Sequence, residues 1–135
     1  MTRSRDFPGT IAAASEAEAW LVEESRALGL CADAEFAINL CLEEAFLNAV
    51  QHGRANRASI SIRAEQDAVR FEFVDDGAPY DPTVAPVRRI ESASEDFKIG
   101  GYGAGLMKRF SRRMSYRRDG DHNRLVLEFD VNAGG

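Results

Sequence analysis

Glu43-Glu44-Ala45-Phe46-Leu47-Asn48-Ala49-Val50-Gln51-His52-Gly53 closes a long helical pattern that starts from a cap near Asp33. Upstream, Phe36, Ala37, Ile38, Leu40, Cys41 and Leu42 join Ala45, Phe46, Leu47, Ala49 and Val50 in covering almost the whole circumference. A helix apolar all round is mostly buried, so its few polar residues carry information. At about 100° per residue they fall into two stripes. Asn39 and Glu43 share one, while Glu44, Asn48 and Gln51 share another, with His52 at its margin. One stripe can face solvent and the other needs a reason. An isolated E-x-x-x-N is ordinarily a hydrogen-bonded pair at a helix edge. In apolar surroundings a carboxylate needs a partner, and a cation or a transferable proton would supply one.

Before this helix, Phe7-Pro8-Gly9-Thr10-Ile11 reads as a short edge strand, where Pro is tolerated. Ser15-Glu16-Ala17-Glu18 has capping-box spacing and predicts the start of a helix carrying Trp20, Leu21 and Leu28, stopped by Gly29. After it, Ala58–Arg63 and Val69–Val74 alternate with period two and predict an antiparallel strand pair. From Asp75 to Gly105 the pattern dissolves into a segment with Pro79, Pro82, Pro86 and five glycines, long enough to be read as functional. Leu106–Met114 then reads as a helix. Ser115–Arg118 and Leu125–Phe129 read as a hairpin around Asp119-Gly120.

The 135 residues, 44% hydrophobic and 29% charged, are expected to form one domain over 1–135 that buries its own core. Cys31 and Cys41 with His52 and His122 offer no metal-ligand spacing, so the cysteines read as reduced core residues. No run approaches the roughly 18 apolar residues of a membrane span and no secretory leader opens the chain, which points to the cytoplasm and away from membranes. The net charge of −5 argues against direct nucleic-acid binding. It conceals a stretch between Tyr102 and Arg124 with seven Lys/Arg against Asp119 and Asp121. That stretch reads as a solvated face or as a docking surface for an acidic partner.

Two further motifs follow the helix. Asp75-Asp76-Gly77-Ala78-Pro79 ends an apolar strand, and taken alone it is a turn. A carboxylate held there can also accept a hydrogen bond from an exocyclic amine. Gly100-Gly101-Tyr102-Gly103-Ala104-Gly105-Leu106 precedes a helix, where glycines admit a phosphate to backbone amides. It lacks the G-K-[ST] of a P-loop and the βαβ setting of a dinucleotide fingerprint.

In this order, E-x-x-x-N, D-x-G-x-P and G-x-G-x-G-L, the chain resembles the ATP-binding domain shared by DNA gyrase B, sensor histidine kinases and MutL. More narrowly it resembles the anti-sigma-factor serine kinases of the RsbW and SpoIIAB type, from Phe7 to Phe129. The resemblance implies a Bergerat-type α/β (α+β) two-layer sandwich, a mixed or antiparallel sheet covered by helices on one face. It implies ATP and Mg²⁺ as cofactors, with Asn48 binding the metal and Glu44 the catalytic base. Asp75 would accept the adenine amine beside Gly77 and Pro79. Gly101, Tyr102, Gly103, Ala104, Gly105 and Leu106 would close over the phosphates, with His52 near one of them and residues 81–100 as a lid. The implied activity is phosphorylation of a serine on a STAS-domain anti-sigma factor antagonist, in competition with a sigma factor. The family's homodimer is a further implied partner. The alternative is a module that binds ATP and sequesters its partner without phosphotransfer; the presence of Glu44 favours the kinase. Arg112-Arg113 stands where relatives carry an acidic residue.

Overall fold

The computed structural model describes residues 2–84 and 103–130. In chain order these form β1 (Thr2–Pro8), α1 (Ile11–Ala27), α2 (Ala32–Gln51), β2 (Arg57–Ala64), β3 (Ala68–Asp75), α3 (Gly103–Phe110), β4 (Arg113–Asp119) and β5 (His122–Asp130). The strands make a five-stranded sheet in the order β1-β2-β3-β5-β4, antiparallel at every pairing. Both α+β character and helices on one face are as the sequence predicts.

Period two decides which side of each strand meets the helices. Ala58, Ile60 and Ile62 of β2, Val69, Phe71 and Phe73 of β3, and Leu125, Leu127 and Phe129 of β5 are buried. They face Leu21 of α1, Ile38, Cys41, Leu42 and Phe46 of α2, and Met107 of α3 in one core. The largest of these side chains are fully buried, each worth about 1.5–3 kcal/mol relative to exposure. Phe46 is a hinge of the packing, edge-on to Phe73 at 5.8 Å and to Phe7 at 6.5 Å. Trp20 meets Phe7 from α1 at 6.0 Å, closing the end of the core under β1. The next turn of period two matters most for the site. Beyond Phe73 the inward position is Asp75, and before Leu125 it is Asn123; both are buried.

α2 touches α1, α3 and the sheet, which explains an apolar surface on nearly every side. Phe36 departs from that expectation, since it is 63% exposed in the second turn. The burial of Cys41 pushes its thiol up to about 12, helped by the nearby charge of Glu44, so it stays protonated.

Several predicted boundaries move. The edge strand is Thr2–Pro8 rather than Phe7–Ile11, because seven residues pair with β2 and the chain leaves the sheet at Gly9. α1 begins at Ile11, capped by Thr10, whose hydroxyl accepts from the Ala13 amide at 3.1 Å. Ser15 is thus inside the helix, since the earlier hydroxyl already satisfies the free amides. α2 begins after Cys31, not at Asp33, with no side-chain cap. α3 is Gly103–Phe110 rather than Leu106–Met114, and Met114 is in β4.

The basic stretch is not an uncompensated face. Arg112 pairs with Asp67, Arg113 with Glu128, Arg117 with Asp119, and Arg124 with both Asp119 and Glu72. Asp67 before β3, Glu72 of β3 and Glu128 of β5, all outside the stretch, thus offset part of its excess.

Candidate functional site

The C-terminal half of α2, the end of β3 and the start of β5 meet at one end of the core. Asn48 and Ala49 of α2, Phe73 and Asp75 of β3, Met107 of α3, Tyr116 of β4 and Asn123 and Leu125 of β5 line a cleft there. It is narrow, about 360 Å³ counting the open solvent at its mouth. Its walls are largely apolar, with a few convergent polar groups, the usual make-up of a small-molecule site.

The two stripes of α2 separate as their spacing predicts. Glu43 is exposed, whereas Glu44 and Asn48 are 8% and 5% exposed. Gln51 and His52, at the end of the helix, are exposed. The Asn48 amide favours the ionised form of the Glu44 carboxyl one turn before it. Yet Glu44 Oε2 and Asn48 Oδ1 are both buried with no hydrogen-bond partner among the described residues. Burial, then the charge of Glu43, pushes the Glu44 carboxyl above the ordinary glutamate range, and the neighbouring Asn48 side chain only partly offsets this. A buried carboxyl and a buried amide oxygen, each with an unused acceptor, form an arrangement that a cation or a hydroxyl donor would complete.

Asp75 closes the other end. Its Oδ1 accepts from the Gly77 amide at 2.8 Å and from Asn123 Nδ2 at 3.0 Å, which leaves Oδ2 to take a ligand. The neighbouring Asp76 does a different job, binding the Asn56 and Arg57 amides at 2.7 and 3.0 Å and fixing the turn to β2. Gly77 is needed for a close approach: a Cβ there would lie 2.8 Å from the Gly53 carbonyl oxygen. That oxygen accepts from the Ala78 amide at 2.9 Å, so the end of α2 and the turn after β3 are stitched together.

Of the predicted residues, Asn48 and Asp75 line the cleft, and Glu44 sits one helical turn before Asn48. Gly77 is buried beside Asp75, Pro79 is exposed, and His52 stacks on Tyr80 outside the cleft. Gly103, Ala104, Gly105 and Leu106 form the first turn of α3. Gly101, Tyr102 and the lid from 85 to 100 lie outside the described residues.

Sequence reading passed over Tyr80 and Asn123 and gave Tyr116 and Arg118 no role. Tyr80 lines the cleft, and its hydroxyl is pushed up by burial and then by Glu44. Asn123 pairs in register with Asp75 across β3–β5 and with Arg118 across β4–β5. The signal was there in β5: stepping back by two from Leu127 and Leu125 gives a polar residue in an inward position.

A model of the histidine kinase-like ATPase domain matches residues 7–129, from the buried end of β1 to the last inward residue of β5. The chain belongs to the histidine kinase-like ATPase family. A relative, the serine/threonine-protein kinase BtrW of Bordetella bronchiseptica, is 31% identical over 130 residues, covering 93% of this chain and 92% of that protein. No helix among the described residues of this ATPase-family chain is long and apolar enough to cross a membrane.

Proposed function

We propose that this chain is an Mg-ATP-dependent protein serine kinase that acts as an anti-sigma regulatory factor. Its substrate is a serine on a STAS-domain antagonist, and its second partner is a sigma factor. The observation that carries the enzymatic part is the buried Glu44–Asn48 pair, with one unpartnered oxygen on each side chain and Asn48 lining the cleft. A relative named as a serine/threonine-protein kinase over nearly the full length supports the same reading. The regulatory part rests on the resemblance to the anti-sigma-factor kinases.

Asn48 Oδ1 is a hard neutral oxygen with no protein partner among the described residues, which fits one ligand position of Mg²⁺. The metal, when bound, would offset the charge of the triphosphate. Asp75 Oδ2 would accept the adenine amine, and Phe73, Met107 and Leu125 would supply apolar contact to the purine. Gly103, Ala104 and Gly105 at the start of α3 would bring backbone amides to the phosphates.

Glu44 acts as base. The serine oxygen forms its bond to the γ-phosphorus as the bridging bond to the β-phosphate breaks; the hydroxyl proton goes to Glu44 and ADP leaves. A carboxyl held above its usual range is a better proton acceptor than an exposed one, provided it is ionised. The test uses purified protein, labelled ATP, Mg²⁺ and a STAS partner. Label is expected on the partner's serine, and undiminished transfer by Glu44→Gln would remove Glu44 from the reaction.

A further inference from the structure

Asn123 is 5% exposed and occupies the centre of a polar network that the catalytic reading leaves unused. Its Nδ2 faces acceptors only: Asp75 Oδ1 at 3.0 Å, the Ala78 carbonyl at 2.9 Å and the Gly77 carbonyl at 3.5 Å. Its Oδ1 faces donors only: the Tyr116 hydroxyl at 2.5 Å, Arg118 Nη1 at 3.2 Å and the Tyr80 amide at 3.4 Å. The surroundings therefore admit one orientation of the amide, since a flip would set a guanidinium against an NH₂ and a carboxylate against an oxygen. Arg118 tightens the same knot, donating to the Gly77 carbonyl at 2.7 Å and through Nε to the Gly120 carbonyl at 3.0 Å.

We infer that Asn123 is the positioning residue that makes Asp75 selective for a purine bearing a 6-amino group. The inference rests on the ATP reading above. Asp75 Oδ1 is occupied by Gly77 and Asn123, so only Oδ2 is presented, at a fixed angle, to a ligand. Without the Asn123 amide, one of those two bonds is lost and the carboxylate gains freedom about its last torsion. Tyr116 and Arg118 act one step further out, holding the amide that holds the carboxylate.

The test compares the dissociation constants of ATP and of purine riboside triphosphate, which lacks the 6-amino group. The wild-type protein is expected to prefer ATP by about tenfold or more, the scale of a hydrogen bond to a charged group. In Asp75→Asn, Gly77 and Asn123 still require the oxygen on their side, so an NH₂ faces the purine amine and the preference disappears. In Asn123→Ala the preference is expected to fall to about threefold or less. Tyr116→Phe, which removes one donor to Asn123, is expected to fall between. If Asn123→Ala weakens both nucleotides equally, or neither, the positioning role is overturned. Should that variant not fold, an unchanged preference in Tyr116→Phe overturns it instead. If Asp75→Asn keeps the wild-type preference, the purine site itself is wrong, a failure distinct from that of Asn123.

Discussion

His52 and Tyr80 lie face to face, their ring centroids 5.1 Å apart and their planes within 7° of parallel. One ring belongs to the end of α2 and the other to the turn after β3, so the stack joins the elements that carry Asn48 and Asp75. Such a contact is worth about 0.5–1.5 kcal/mol beyond area burial. Tyr80→Ala is therefore expected to weaken nucleotide binding by about two- to tenfold, while Tyr80→Phe keeps the stack and stays close to wild type. Equilibrium binding of ATP to the three proteins measures this, and equal affinities would show that the stack does not set the spacing of the cleft.

Glu44 carries opposite consequences for rate and stability. As a base it must be ionised, so phosphotransfer is expected to fall on acidification through a group above the ordinary glutamate value of 4.5. Glu44→Gln is expected to lower the rate by about 10²–10⁴ with ATP affinity little changed. A carboxyl raised in the folded state binds its proton more tightly folded than unfolded. Its contribution is most favourable below pH 4.5 and turns unfavourable as pH rises through the raised folded value. Gln avoids that loss. The variant should melt higher than wild type at neutral pH, with the gap closing at acidic pH. A lower melting temperature at neutral pH would mean that the ionised Glu44 carboxylate is net stabilising in the folded protein.

Gly77→Ala places a methyl 2.8 Å from the Gly53 carbonyl oxygen and 2.9 Å from Asp75 Oδ1. Neither is the free end of a long side chain, so backbone must move. A loss of about 1–3 kcal/mol in chemical denaturation is expected, together with weakened ATP binding because Asp75 shifts. Wild-type stability would show that the turn has slack.

The arginines of the basic stretch separate by exposure. Arg113 is 77% and Arg112 44% exposed in the side chain, and each has one carboxylate partner. Their replacement by Ala should change stability by under about 0.5 kcal/mol. Arg124 bridges Glu72 and Asp119 from a 36% exposed position, and Arg124→Ala is expected to cost about 1 kcal/mol, less in high salt. Equal effects at all three positions in urea unfolding would contradict this ranking.

The parts of the site on single elements were legible in the sequence. The 100° step of a helix puts Glu44 beside Asn48 and turns Glu43 away, and period two carries Phe71 and Phe73 on to Asp75. The same step along β5 leads to Asn123 as an inward polar residue, but its partner Asp75 is set by the register of β3 against β5 and is not legible in either strand alone. The charge pairs were hidden for the same reason: Arg112 and Asp67 are remote in sequence and meet only where β3 and β4 begin, beside the end of β5. The start of α1 was misplaced because Thr10 and Ser15 both offer a capping hydroxyl, and the departure of the chain from β1 selects the earlier one.

The packing of Trp20 on Phe7 gives the molecule two separate optical reporters. The sole tryptophan is in the seam between α1 and β1, so its emission should track the loss of that seam on unfolding and respond little to a bound nucleotide. Tyr80 and Tyr116 line the cleft, so quenching of tyrosine emission should follow occupancy. Folding and ligand binding can thus be followed in one cuvette, at two excitation wavelengths and without a label.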